Sequence, residues 1–345
     1  MDPLVRDRLV GLGASTDEIE AAEAEGRVPV LVVERMLFPG ESRYRADDVA
    51  ARAGVDYEFA DRLWRAMGFP DSPPESREFV DADVAALEAA VELIADLGEV
   101  DALVQQSRVV SAAMARIAES LTDVLGNIAG ELTADDSASL ALLERWNVER
   151  ALGLYDYVLR RQIVAAVRRR FRWTGLGAET APLTVGFVDL VGFTSLSLQI
   201  GSDELSQLVA RFEALAFDTI ATHEARLVKT IGDEVMFVVD DVAAAAEIAL
   251  TLAETHADDD TLPDVRAGLA RGAVTPFEGD YFGAVVNLAS RVVSVARRGT
   301  IVVDDSVHRA LRGDDRFQLV DIGSRRLKDV GPVRLWVLRR GSQSP

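Results

Sequence analysis

The chain has 345 residues, 49% of them hydrophobic, a formal net charge of −20 and no cysteine. That length can bury a sizeable core and leaves room for two domains, and the composition excludes global disorder, disulfides, thiolate chemistry and cysteine-ligated metal sites. So acidic a surface argues against non-specific binding to nucleic acid or to an anionic membrane.

Residues 1–150 read as helical. The opening MDPLVRDRLV lacks the basic region and apolar stretch of a signal peptide, and no apolar run has the length that spans a bilayer. A cytoplasmic protein without membrane association is expected. Segment 28–38, VPVLVVERMLF, is apolar enough to be buried, and Pro39-Gly40 turns the chain. Residues 44–69 read as two short helices around Gly54, capped by Asp47 and Asp56. This has the outline of a helix-turn-helix unit. Its Arg45, Arg52, Arg62 and Arg65 are outnumbered by Asp47, Asp48, Asp56, Glu58 and Asp61, whereas a helix made for the major groove sits in a positive field. No nucleic-acid partner is expected.

Pro70, Pro73 and Pro74 break the pattern. Further helices are predicted from Val80 or Asp81 to Leu97, over 101–128, and from Ser137 past Trp146. The segment 154–173, LYDYVLRRQIVAAVRRRFRW, is basic in an acidic protein, with Leu159, Ile163, Val164 and Val167 on an apolar stripe. It predicts a connecting helix docked against an acidic face, its connection ending near Thr180.

From 181 strands alternate with helices. LTVGFVDL (183–190) is a strand. A helix capped by Ser202 or Asp203 buries Leu205, Leu208, Val209, Phe212, Leu215, Ala216 and Ile220 at the 3.6-residue period. ARLVKT and EVMFVV form a hairpin through Ile231-Gly232-Asp233. A helix over 241–256, a strand over 265–274, a helix over 284–297 and strands in TIVVD, FQLVDI and VRLWVL follow. The core order is β-α-β-β-α-β, one sheet with helices on one side.

Asp189 ends an apolar strand, followed by Val191-Gly192-Phe193-Thr194, a turn whose backbone N–H groups could face an anion. In this strand order the hairpin tip brings Asp233 beside Asp189. Two adjacent carboxylates repel, and Mg²⁺, which takes oxygen ligands, resolves the conflict. His223, His256 and His308 are scattered, which disfavours zinc. A turn cap and a solvent-facing strand end would use the same two residues. In GDYFGAVVNLASR (279–291), Asn287 and Arg291 share a helix face. They either hydrogen-bond a neighbouring loop or bind a ribose oxygen and a phosphoryl group, for which the planar fork of Arg is suited.

FVDLVGFTSLS (187–197), KTIGDEVMF (229–237) and GDYFGAVVNLASR (279–291) together resemble the class III nucleotidyl cyclases, over about 181–320. The resemblance implies an α+β chain whose C-terminal domain is the ferredoxin-like cyclase fold, paired head to tail in a homodimer with active sites between the subunits. It implies that Asp189, the Leu190 backbone carbonyl and Asp233 hold two divalent cations, Mg²⁺ or Mn²⁺. Lys229 and Asp280 would recognise adenine, Phe193 and Thr194 would line the substrate site, and Asn287 and Arg291 would orient ribose and stabilise the transition state. The reaction would be ATP to 3′,5′-cyclic AMP and pyrophosphate. A catalytically silent ATP-binding module and a guanylyl cyclase are the alternatives.

Lys328 resembles the family's triphosphate-binding lysine. The stretch GLARGAV departs from the family pattern, with Ala273 where an arginine is common and Arg271 two residues earlier. The N-terminal half resembles, more weakly, the all-helical regulatory domain of actinobacterial adenylyl cyclases, which implies control by pH or lipid. An apolar pocket there could hold a fatty acid, although ordinary core packing uses the same residues. The expected divisions are a regulatory domain at 1–153, a basic linker helix and connection at 154–180, and a catalytic domain at 181–345.

Overall fold

The computed structural model describes residues 1–129, 136–174 and 181–341. The chain divides into two compact units, Met1–Gln162 and Ile163–Pro345.

The first unit is helical: α1 (Pro3–Gly11), α2 (Thr16–Ala24), α3 (Val28–Leu37), α4 (Ala46–Arg52), α5 (Tyr57–Ala66), α6 (Asp81–Leu97), α7 (Val100–Ala129) and α8 (Asp136–Arg145). It has two cores. One gathers Val5, Leu9, Ile19, Leu31, Val32 and Leu142, the other Val49, Ala60, Leu63, Leu87 and Leu103. The expected helix pair around Gly54 is α4 and α5, with Gly54 at φ +73°. Asp56 caps α5 by accepting from the Phe59 N–H at 2.7 Å. Asp47 is not a cap. It lies inside the first turn of α4 and pairs with the Arg45 guanidinium at 2.7 Å, while Asp48 accepts from the Arg45 N–H at 3.1 Å.

The helix expected to continue past Trp146 stops at Arg145. The Asn147 side chain accepts from the Arg150 N–H at 2.9 Å and starts a new helix, α9 (Val148–Thr174). The unit boundary falls within α9. The expected docking of its apolar stripe is not seen among the described residues: Ile163, Val167 and Phe171 are 53%, 63% and 62% exposed. Arg160 pairs with Asp156 one turn back, and Arg172 with Glu224. The rest of the expected connection, 175–180, lies outside the described residues.

The second unit runs β1 (Ala181–Leu190), α10 (Phe193–Leu196), α11 (Ser202–Thr222), β2 (Arg226–Ile231), β3 (Glu234–Val239), α12 (Val242–Ala257), β4 (Val265–Phe277), β5 (Asp280–Phe282), α13 (Ala284–Val295), β6 (Ile301–Asp304), α14 (Asp305–Leu311), β7 (Phe317–Leu327) and β8 (Gly331–Arg340). The strand order is β2-β3-β1-β4-β6-β8-β7, with β5 paired to β4.

Period-2 alternation assigns the two sheet faces. Val188, Leu190, Val235 and Phe237 point to the face covered by α11 and α12, where Phe212, Ile220 and Ile248 are fully buried. Burial of side chains this size stabilises by about 1.5–3 kcal/mol each. Leu183, Val185, Phe187, Met236 and Val238 point the other way, against Val285, Ala289 and Val293 of α13. Helices on one side thus describes α11 and α12 of the β-α-β-β-α-β core, and α13 packs on the opposite face. Gly268 permits that packing. A Cβ there would lie 2.3 Å from the Val293 backbone nitrogen.

Candidate active site

β1 ends at the site. Asp189 stands in register with Glu234 of β3 and Arg266 of β4. All three project to the α13 face, because each is an even number of strand steps from a residue packed there. The β2–β3 hairpin closes through a two-residue turn, Gly232-Asp233, with Gly232 at φ +63°. Glycine at the first central position suits a tight hairpin whose twist matches its strands. The turn ties back to β1 through the Leu190 N–H, which donates to the Asp233 carbonyl at 3.0 Å. The Asp233 carboxyl thereby comes within hydrogen-bonding reach of Asp189.

Three carboxylates face one cation. Arg266 donates to Asp189 through Nε at 2.7 Å and again through Nη2. Asp189 is 9% exposed. Burial, then the charge of Asp189, raises the pKa of Asp233. Burial, then Asp189 and Asp233, pushes Glu234 up to about 7. Such a site is short of positive charge and offers hard oxygen donors, so it fits a divalent cation of the magnesium class. Among the described residues no group of three or more His, Cys, Asp or Glu side chains is arranged to hold a metal. Remaining ligands would therefore come from backbone carbonyls, solvent or an anionic substrate.

Lys229 reaches this face through a bulge. Leu227 pairs with Phe237 and Lys229 with Met236, so Val228 is the extra residue. Unbroken alternation would put Lys229 on the Leu227 side, against the core of α11 and α12; the bulge turns it to the face of α13. There Lys229 Nζ meets the Asp280 carboxylate at 2.5 Å, across 51 residues of sequence.

Asn287 and Arg291 lie one turn apart on α13, whose buried Val285, Ala289 and Val293 fix the helix on the sheet. Asn287 is exposed and Arg291 half-buried. The Arg291 guanidinium lies 3.7 Å from Asp329, at the β7–β8 turn, and Lys328 is the exposed residue beside it. Phe193 and Thr194 open α10 after Gly192, whose φ is +78°. The Ser195 and Leu196 N–H groups both donate to the Gly192 carbonyl.

Two site residues were not among the sequence candidates. Glu234 is visible in the sequence beside Asp233, but its placement opposite Asp189 depends on register. Arg266 is hidden in VRAGLARGAV until β4 is paired with β1. Arg271, the arginine two residues before Ala273, is elsewhere. It is in register with Thr184, five residues back along β1, about 17 Å away. It donates to Thr184 Oγ1 at 3.1 Å and to the Asp240 carbonyl at 2.7 Å.

Residues 178–340 match the adenylate and guanylate cyclase catalytic domain, and residues 3–131 match the adenylate cyclase regulatory domain. An adenylate cyclase of Streptomyces coelicolor is 36% identical, over 90% of this chain and 89% of that protein. One of Glutamicibacter nicotianae is 32% identical, over 93% and 87%. The solved adenylyl cyclase CyaB of P. aeruginosa is 23% identical, covering 48% of this chain and 97% of its own, with a TM-score of 0.42. This chain belongs to the class III adenylate cyclase family, with a C-terminal cyclase domain preceded by a helical N-terminal region.

Proposed function

We propose that the protein converts ATP to 3′,5′-cyclic AMP and pyrophosphate in a head-to-tail homodimer, under control of its helical unit. The observation that carries this reading is the face of the sheet shared by the Asp189–Asp233–Arg266 cluster, the Lys229–Asp280 pair and the Asn287–Arg291 pair of α13.

Lys229 donates to the adenine N1 acceptor, and Asp280 accepts from the N6 amino group. Guanine reverses both features, so the pair favours ATP over GTP. Asp189, Asp233 and the Leu190 carbonyl are the groups that would hold two Mg²⁺ or Mn²⁺ ions. When bound, these would lower the pKa of the ribose 3′-hydroxyl and offset triphosphate charge. Asn287 orients the ribose so that its 3′-oxygen is in line with the α-phosphorus. Arg291 is aimed at the charge that grows between the 3′-oxygen and the leaving pyrophosphate, where a fixed donor is worth most. Arg266 serves twice in this reading. It offsets Asp189 in the free protein, and once Asp189 is committed to cations its guanidinium is available to the phosphates, together with Lys328.

Lys229 and Asp233 lie on one hairpin, yet a head-to-tail pair puts the base site and the cation site of one ATP on different subunits. Each cleft then draws Asp189, Asp233 and Arg266 from one protomer and Lys229, Asp280, Asn287 and Arg291 from its partner.

The helical unit is assigned the regulatory role because α9 runs from it into the catalytic unit. A cavity of about 920 Å³ there is lined by Arg35, Glu18, Glu34, Trp64 and Phe79 among others, a more polar lining than a fatty-acid slot requires.

The test is product analysis after incubation of the purified full chain with ATP and Mg²⁺ or Mn²⁺. Cyclic AMP is expected, and more of it than cyclic GMP from GTP. Failure to form a cyclic nucleotide from a protein shown to be dimeric would leave a silent ATP-binding module instead.

A further inference from the structure

The Lys229–Asp280 pair joins two hairpins, and the ladder of the one carrying Asp280 is short. β5 pairs with β4 only through Thr275–Phe282, Pro276–Tyr281 and Phe277–Asp280. Pro276 contributes no N–H to that ladder. The turn between the strands is Glu278-Gly279, both at positive φ (51° and 79°), as a two-residue hairpin turn demands. A ladder so short would not hold its geometry in isolation, so packing and tethers around it set the place of Asp280.

Arg226 supplies a tether from β2, three residues before Lys229. Its Nη2 donates to the Gly279 carbonyl at 2.5 Å, and its Nη1 to the Tyr281 hydroxyl at 3.3 Å. Its guanidinium carbon lies 5.3 Å from the centre of the Tyr281 ring. Tyr281 is buried in the α13 core with Val285 and Ala289. The residues on either side of Asp280 are therefore both clasped by one side chain, from the same strand that presents Lys229.

We propose that Arg226 is a positioning residue for base recognition, holding the Asp280 carboxylate opposite Lys229 so that the two present one acceptor and one donor at fixed spacing. This rests on the cyclase reading above. Arg226 acts through Asp280, so its loss leaves the groups assigned to ribose, phosphate and cations in place. Its loss weakens the discrimination of adenine from guanine, which needs both members of the pair in register. Arg169 of α9 lies close to Arg226 and Tyr281, and burial and then the charge of Arg226 hold its guanidinium pKa down. Removing Arg226 relieves that like-charge repulsion, which offsets part of the lost hydrogen bonding.

The test is steady-state kinetics with ATP and with GTP on the full chain, Arg226→Met and Arg226→Lys. For Arg226→Met, KM for ATP is expected to rise about five- to tenfold with kcat within about twofold. The ratio of kcat/KM for ATP over GTP is expected to fall about as much. Arg226→Lys, which keeps one donor for the Gly279 carbonyl, should fall between. Unchanged KM and ratio in both variants, or a loss of kcat with KM and ratio kept, would overturn the role. If Arg226→Met does not fold, Arg226→Lys decides by the same criteria. A parent protein that forms no cyclic nucleotide would fail the cyclase reading, a distinct outcome read before any variant is compared.

Discussion

Asp233 is held where its charge is unwelcome, with burial and Asp189 both opposing ionisation. Asp233→Asn should therefore abolish metal-dependent turnover while the melting temperature of the metal-free protein stays level or rises. A melting temperature that fell with activity would mark Asp233 as a structural turn residue. Arg291→Ala should lower kcat about 10²- to 10³-fold with little change in KM, the pattern of a donor used in the transition state. Comparable losses in both would count against that role. His256 has a different consequence. It is 1% exposed, edge-on to Phe212, with Nδ1 2.8 Å from the Pro263 carbonyl and Nε2 buried with no hydrogen-bond partner among the described residues. Burial keeps its pKa below the ordinary 6.5, so the folded ring stays neutral when the unfolded ring takes up a proton. Its contribution is complete above pH 6.5 and is lost as the pH falls through that value towards the folded-state pKa. Melting curves of the full chain across that range should show the loss, and His256→Met should lack it.

At the scale of elements, α13 is the part whose seating decides the site. It carries Asn287 and Arg291, and it rests on β4 at Gly268 with no room for a side chain. Gly268→Ala should push α13 outward, costing about 1–3 kcal/mol of stability, read by thermal or chemical melting. Activity should fall further than stability alone explains, since small displacements of aligned groups are costly to catalysis. Wild-type turnover at a lowered melting temperature would show that the seat of α13 is not critical. The β2 bulge works at the same scale, since one extra residue decides which face Lys229 joins. α9 carries an apolar stripe that is exposed among the described residues.

For the whole molecule, the proposed head-to-tail arrangement would make each active site a composite of two chains. Asp233→Asn and Arg291→Ala homodimers should each be nearly inactive. When the two are unfolded, mixed in equal amounts and refolded together, half the dimers should be heterodimers with one intact site of two. Activity should then return to about one quarter of wild type. No return, with heterodimers demonstrated, would place the two residues in the same cleft half and overturn the head-to-tail assignment.

Much of this could be read from the chain alone. Asp189, Lys229, Asp233, Asp280, Asn287 and Arg291 sit in three motifs whose resemblance to the cyclases implies their roles; local signals alone left a turn cap, a strand end and a loop hydrogen bond as alternatives. The alternation of strand and helix, the burial of α3 and the place of Gly54 are likewise local, set by side-chain periodicity and backbone preference. Register is not local. Arg266 and Arg271 fall on opposite faces of β4 by alternation, but only the pairing of β4 with β1 shows that Arg266 is the one that meets Asp189. The bulge at Val228, the clasp of Arg226 on Gly279 and the exposed stripe of α9 have the same origin. Each depends on which residues meet across the fold, and that is settled by packing free energy summed over distant segments, which no window of sequence contains.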